Sequence, residues 1–293
     1  MKTITRRSAI KAVFAGSAFL AVNNVKAVVG QANSPAVKAP LKGNIRHSVS
    51  KWCFGSYPLD EFCKICKIIG IESVELLDPK DWAVVIANGM TVAMAQGAGL
   101  GIDRGFNDPR IHDELVASYE KVIPMVAEAG LTNLICFSGR RDGVTDLKGW
   151  ENCEIGLKRI IPIAEKHKVV LSMELLNSVS HRDYLCDHTL WGVELCKRVG
   201  SPHFRLLYDI YHMQIMEGNI IENIHKYHTF FSHIHTGGNP GRNEIDETQE
   251  LYYPAIMLAV VKAGYKGFVG QEFVPKQQDK IASLEKCILI CDV

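Results

Sequence analysis

The chain calls for an α/β protein folded as a (β/α)8 TIM barrel, and three observations carry that expectation. Short apolar, β-branched runs alternate with longer amphipathic ones eight times in the roughly 250 residues after Asn44, the repeat that such a barrel requires. Glycine follows several amphipathic runs where a helix C-cap favours it, just before the next strand, as in Ala129-Gly130, Val199-Gly200 and Ala263-Gly264. No glycine-rich phosphate loop follows the first strand, as a doubly wound open sheet would have. The nearest approach, Gly97-Ala-Gly99-Leu-Gly101, fails G-x-G-x-x-G because Ile102 and Arg104 stand in the third-glycine positions.

The first candidate strand, Ile45–Phe54, leads to a helix at Leu59–Ile69 with Phe62, Cys63, Cys66 and Ile69 on one face. Ile71–Leu77 is the second strand, and Asp78-Pro79 then supplies an N-cap with proline in the first turn. Thr91–Ala95 is the third, after which Asp108-Pro109 opens a helix running to Ala129. Asn133–Phe137 and Val169–Leu176 are the fourth and fifth strands, followed by helices at Leu147–His167 and His188–Val199. Phe204–Ile210, Phe231–His235 and Phe268–Phe273 complete the eight, with helices at Ile220–Tyr227, Leu251–Ala263 and Gln277–Ile290.

A content of 47% hydrophobic and 22% charged residues over 293 positions suits a full-sized core and excludes a disordered chain, a collagen-like repeat or a small disulfide scaffold. Lys and Arg number 33 against 32 Asp and Glu, but five of the basic residues (Lys2, Arg6, Arg7, Lys11, Lys26) fall within 1–27, where no acidic residue occurs. The remainder is acidic by four charges, which argues against binding nucleic acid or an anionic membrane surface.

Residues 1–27 read as an export signal. Arg6-Arg7 precede the apolar run Ala12–Val22, and Val25-Lys26-Ala27 offers a small-residue cleavage site. The paired arginines resemble a twin-arginine signal, with Ala9 where many such signals have Phe. Twin-arginine export, with its translocation machinery as partner and the periplasm as destination, is preferred over an ordinary secretory peptide or an uncleaved anchor. Residues 28–43, rich in Ala, Pro, Lys and Val, read as a linker, and the barrel occupies 44–293. The nine cysteines are an odd number in a chain too large to need staples. Cys63-Lys-Ile-Cys66 lies on a helix face and reads as buried thiols rather than a zinc or redox site, and Cys287 and Cys291 read the same way.

Chemistry in such a barrel sits at the C-terminal ends of the strands. The last four candidates end Ser-Met-Glu174, Leu-Tyr-Asp209, His233-Ile-His235 and Gly-Gln-Glu272. A carboxylate in so apolar a run needs a counter-charge, and no Lys or Arg lies in the C-terminal half of these strands. One divalent ion, Mn2+, Mg2+, Co2+ or Zn2+, would satisfy all four groups and leave positions open for a substrate. Either His233 or His235 can serve, because alternation puts both on one face; His235 lies nearer the rim. Glu75 ends the second strand and is a candidate for the same cavity or for pairing with a loop Arg. His181 is a candidate lid residue or an exposed one. Trp52 and Phe54 read as an apolar cavity wall.

The motifs Ser-Val-Glu75-Leu-Leu-Asp, Glu174-Leu-Leu-Asn177, Asp209-Ile-Tyr-His212, His-Ile-His235 and Pro240-Gly-Arg242-Asn-Glu244 resemble those of the xylose isomerase-like TIM barrels, above all hydroxypyruvate isomerase and its sugar epimerase relatives. The resemblance spans 44–293 and implies one divalent metal on Glu174, Asp209, His235 and Glu272. It also implies that Glu174 and Glu272 double as acid and base, and that His212 and Arg242 contact substrate oxygens. His235 is of the ketose 3-epimerase kind, since hydroxypyruvate isomerases tend to carry Gln there. The Pro-Gly-Arg-x-Glu run is of the hydroxypyruvate isomerase kind. The function expected is isomerisation or epimerisation of a small carbohydrate or keto acid by proton transfer next to a carbonyl. The alternatives are a lyase of the inosose dehydratase type and an exported carbohydrate-binding protein without catalysis.

Overall fold

The computed structural model describes residues 40–293; the expected signal at 1–27 and residues 28–39 of the expected linker lie outside the described residues. The end of the linker and the start of the barrel run along the last residues, where Lys42 N donates to Asp292 Oδ1 at 2.8 Å and Asn44 Nδ2 to the Val293 carbonyl at 2.8 Å.

Seven strands form one parallel sheet: β1 Arg46–Ser50, β2 Ser73–Glu75, β3 Asn133–Cys136, β4 Val170–Glu174, β5 Phe204–Asp209, β6 Phe231–Thr236 and β7 Phe268–Gln271. Their order is β2-β1-β7-β6-β5-β4-β3. The expected third strand, Thr91–Ala95, closes the gap between β2 and β3 through isolated bridges only, Ser73 with Thr91, Leu77 with Ala95, and Ala95 with Leu134. The reason is local. The amide of Ala93 donates to Ser73 Oγ and its carbonyl accepts from Asn133 Nδ2, both at 2.8 Å, so side chains interrupt the ladder at this residue while Thr91, Met94 and Ala95 keep backbone bonds to their neighbours. With that eighth segment the sheet closes as a (β/α)8 barrel.

The helices are α1 Leu59–Ile69, α2 Pro79–Ala87, α3 His112–Glu128, α4 Asp146–His167, α5 Thr189–Val199, α6 Ile210–Met216, α7 Ile220–Tyr227, α8 Tyr253–Lys262 and α9 Lys280–Cys291. In α1, Phe62, Cys63, Cys66 and Ile69 fall on the buried face, Asp60 and Glu61 sit in the first turn, and Gly70 ends the helix at φ 97°. The short α6 was not expected, because its residues continue an apolar strand. It forms because Asp209 Oδ1 accepts from the His212 amide at 3.2 Å, which starts a helix directly at the strand end.

Strand alternation separates two interiors. Val49, Val74, Leu134, Leu171, Met173, Leu206, Tyr208, Ile234 and Val269 face the helices and belong to the main core. The opposite face fills the barrel with a small cluster, Met94, Ile135 and Leu207, among buried Ser48, Ser50, Glu75, Ser172, His233 and His235. A barrel interior this polar is the first sign of a site. All nine cysteines are free and buried, as expected of packing thiols, and burial pushes the Cys66 thiol well above its ordinary range.

Candidate active site

Glu174 closes β4, Asp209 closes β5, His235 lies in β6 and Glu272 follows β7. The register pairs Asp209 with His235, and His235 with Gly270 two residues before Glu272. One ligand atom from each of the four residues lies within 4.8 Å of all the others. All four side chains are buried.

His235 decides what the cluster accepts. Its Nε2 lies 2.8 Å from Glu75 Oε1, where it donates a hydrogen bond. Its Nδ1 faces Glu272 Oε2 at 2.7 Å, Glu174 Oε1 at 3.6 Å and Asp209 Oδ2 at 4.0 Å, and has no hydrogen-bond partner. An imidazole nitrogen facing three carboxylates requires a positive charge between them, either a proton on that nitrogen or a cation. Burial opposes a charged imidazole, but Glu272, Glu174 and Glu75 outweigh it and hold the His235 pKa well above its usual value. Three carboxylates and an imidazole nitrogen from four successive strands fit a divalent ion, and the unpartnered Nδ1 is the atom that such an ion would engage.

The counter-charge thought to be missing is present in part. Arg242, in the loop after β6, places Nη2 3.0 Å from Asp209 Oδ2 and 2.6 Å from Glu272 Oε2. It lies outside the strands, which is why a search of strand ends alone overlooks it. Its charge answers one carboxylate of three, so the case for a cation stands on the remaining deficit. Arg242 adopts φ 55° and is held by a strap. The amide of Val274 donates to the Arg242 carbonyl at 2.7 Å, Asn243 Nδ2 donates to the Val274 carbonyl at 2.8 Å, and Glu244 Oε1 accepts from the amides of Lys276 and Gln277 and from Ser283 Oγ. One loop thereby carries Arg242 to Glu272 and fixes the segment that carries Glu272. The Gly237-Gly238 pair lets it turn, since a Cβ at Gly238 would collide with the Glu244 carbonyl.

Trp52 is not simply apolar wall. Its Nε1 donates to Glu272 Oε1 at 2.7 Å, and its ring lies 5.4 Å from the Arg242 guanidinium, as does that of Tyr211. Only a folded barrel brings the end of β1 against the end of β7, so no local signal marks this contact. Phe54 belongs to the core, packed against Phe62 and Phe273.

Glu75 departs from its expected place at the substrate cavity. It is fully buried, and Oε1 takes bonds from His233 Nε2 at 2.9 Å and His235 Nε2 at 2.8 Å. Burial penalises its charge, yet the two histidines bring its pKa down to about 2. It pairs with histidines rather than with a loop Arg.

His212 presents a donor to the site. The amide of Asn177 and its Nδ2 both lie against His212 Nδ1, at 3.1 and 2.6 Å, so that nitrogen accepts and Nε2 carries the proton. Nε2 has no hydrogen-bond partner and sits 3.6 Å from Asp209 Oδ2. Burial, aided by Arg242, holds the imidazole neutral. His181 is half-buried with its ring 5.3 Å from that of His212, near the site as one of its two readings required. Arg140 and Arg141 are each paired, with Asp142 at 3.7 Å and Asp146 at 2.6 Å.

Burial also divides the carboxyls. It pushes Asp209 up to about 7 against the pull of Arg242, and it raises Glu174. Burial opposes the Glu272 charge too, but Arg242, His235 and Trp52 overcome it and hold that carboxyl well below the usual range.

The family model described as xylose isomerase-like TIM barrel matches residues 66–287. A putative hydroxypyruvate isomerase of Homo sapiens is 32% identical over 114 residues, which cover 39% of this chain and 41% of the relative. A 2-oxo-tetronate isomerase of Cupriavidus necator is 31% identical over 108 residues, covering 37% of this chain and 41% of the relative. The chain thus spans about two-fifths of the length of these curated relatives. Among solved structures, an AP endonuclease, family 2, from Brucella melitensis superposes with a TM-score of 0.73 at 25% identity, covering 82% of this chain and 96% of that one.

Proposed function

The chain belongs to the xylose isomerase-like TIM barrel family, and from that premise we propose that it is a divalent-metal-dependent isomerase or epimerase of small sugars or hydroxy-keto acids. The observation that carries the reading is the meeting of Glu174, Asp209, His235 and Glu272 from four strand ends, with an unpartnered imidazole nitrogen among the carboxylates. The isomerase names of the human and Cupriavidus relatives support the same reaction class.

The reaction removes a proton from carbon beside a carbonyl and returns it to the neighbouring carbon or to the other face of the same one. A divalent ion held by the four residues would supply electrophilic polarisation of the substrate carbonyl and its adjacent hydroxyl. Glu272 takes and Glu174 returns the proton, or the reverse in the other direction. Trp52 and Arg242 each hold one oxygen of Glu272, so its carboxylate is oriented before substrate arrives. His212, with its Nε2–H free, donates to a substrate oxygen, and Arg242 stands beside it to orient another. We take the substrate as unphosphorylated, because the sequence offers no Lys- and Arg-rich cradle for a phosphate beyond Arg140-Arg141 after the fourth expected strand, and these two arginines face Asp142 and Asp146. We assign the protein to the periplasm after twin-arginine export. The acidic balance of residues 28–293 disfavours a nucleic-acid substrate of the kind for which the Brucella endonuclease is named.

The test is proton exchange. The Mn2+-loaded protein in D2O, incubated with ketoses, aldoses, hydroxypyruvate and 2-oxo-tetronate, should place deuterium at one carbon by NMR, and the labelled position separates isomerase from epimerase. Glu272→Gln should lower the exchange rate by at least about 10²-fold. Wild-type exchange by that variant would refute the assignment of Glu272, and loss of water from the product would identify a lyase instead.

A further inference from the structure

We infer that Glu75 is the positioning residue of the candidate metal site: it takes the Nε2 proton of His235 in a buried hydrogen bond and thereby turns the Nδ1 lone pair toward Glu174, Asp209 and Glu272. The inference rests on the proposed metal-dependent function and deepens it. An imidazole can offer a ligand atom only from the nitrogen without a proton, and the partner of the other nitrogen decides which one that is. Here Glu75 Oε1 is that partner at 2.8 Å, on the side of the ring away from the three carboxylates.

His233 completes the device. Its Nε2 donates to the same Oε1 at 2.9 Å while its Nδ1 has no partner, so one carboxylate oxygen serves two imidazoles whose rings meet edge to face at 4.8 Å. Glu75 Oε2 makes no hydrogen bond. A purely structural polar group in this place would be met by a neutral acceptor, whereas a fully buried charge is costly and is retained here with both of its contacts on histidine. The backbone accommodates it as well. Gly270 faces the pair, and a Cβ there would collide with Glu75 Oε1 and approach His235 Cδ2 to 2.9 Å and Ser48 Oγ to 3.0 Å. Glu75, His233 and His235 can also be grouped as a cation site of their own. Oε1 already takes a hydrogen bond from each Nε2, which leaves neither imidazole a free nitrogen on the Glu75 side to ligate a cation there and argues for positioning.

Two measurements on the full chain test this. Mn2+ titration followed by electron paramagnetic resonance should give one bound ion in the wild type and a roughly 10–100-fold weaker affinity in Glu75→Gln. Glu75→Asp, which keeps the charge but shortens its reach, should lie between them. In wild-type protein with 15N-labelled histidine and Zn2+ bound, NMR should find His235 protonated at Nε2 and ligating through Nδ1. Affinity within twofold of wild type in Glu75→Gln, ligation through Nε2, or a second ion bound at Glu75 would each overturn the inference while leaving the metal-dependent function intact. Should Glu75→Gln fail to fold, the wild-type NMR result decides alone. Wild-type protein that bound neither Mn2+ nor Zn2+ would take down the function and the inference together.

Discussion

Glu244→Ala removes one of the ties between the strap that carries Arg242 and the segment that carries Glu272. Glu244 is 3% exposed, and its Oε1 accepts from Lys276 N at 2.9 Å, Gln277 N at 3.0 Å and Ser283 Oγ at 2.8 Å. Hydrogen bonds to a charged acceptor contribute about 1.5–3 kcal/mol each, but the three share one oxygen and do not add. Lys276 and Gln277 are exposed, so water replaces part of what their amides lose. The net cost is therefore about 3 kcal/mol, a fall in melting temperature of roughly 6–12 °C for a domain of this size. Glu244→Gln keeps a neutral acceptor in place and should cost about 1 kcal/mol, or roughly 2–4 °C. Calorimetric melts of the three proteins at one pH give both differences. If the alanine variant melts within about 2 °C of wild type, or the glutamine variant melts lower than the alanine one, the strap is not held by this carboxylate and the reasoning fails.

Gly270→Ala changes no functional group but should crowd Glu75 and His235, so Mn2+ affinity should fall by about tenfold or more; unchanged affinity would show that the contact yields freely. Arg242→Gln removes a cation that competes for Asp209 and Glu272, so metal affinity should rise by about tenfold while turnover drops, and weaker binding would contradict the charge balance drawn for the site. His47 is buried with both ring nitrogens unpartnered, and burial lowers its pKa to about 4 against the weaker pull of Asp292 and Glu72. The unfolded chain binds that proton first, so His47 should cost about 3 kcal/mol of stability as pH falls from 6.5 to 4; His47→Leu should lose that part of the acid slope in urea melts, and an identical slope would refute it. Ellman's reagent should label almost none of the nine thiols in the folded protein and all nine in guanidinium; rapid labelling of Cys63 or Cys66 in the native state would contradict their burial.

The barrel was legible because its pattern is local. Period-2 and period-3.6 runs, glycine C-caps and proline at helix starts are written within a few residues of one another, and α1, α4, α5 and α7 lie where those signals put them. The eighth barrel segment shows the limit. Thr91–Ala95 has the composition of a strand, but Ser73 Oγ and Asn133 Nδ2 take the backbone groups of Ala93, and side chains from two distant elements cannot be anticipated from the segment itself. The site divides the same way. Glu174, Asp209, His235 and Glu272 stand out because four successive strands end in them, a regularity in chain order that the barrel converts into proximity. The roles of Trp52 and Glu75 carry no such mark, since their partners Glu272 and the β6 histidines stand 220, 158 and 160 residues away.

Arg242 supplies part of the counter-charge that the four strand ends lack. The expectation of a cation began from carboxylates without a counter-charge, and Arg242 weakens that premise without removing the conclusion. Its guanidinium bonds Asp209 and Glu272, whereas Glu174 has the His235 ring at 3.6 Å and feels the Arg242 charge only from farther off. Three carboxylate charges against one guanidinium leave a deficit of two. Without a cation, protons meet it, one on His235, which its carboxylate neighbours favour against burial, and another on the Asp209 and Glu174 carboxyls, which burial raises. A divalent cation meets all of it and allows His235 to stay neutral, with Nε2–H on Glu75 and Nδ1 free to ligate. Glu75 is thus consistent with both states of the pocket, because it accepts the Nε2 proton whether a proton or a cation stands at Nδ1, and the ring need not turn when one replaces the other.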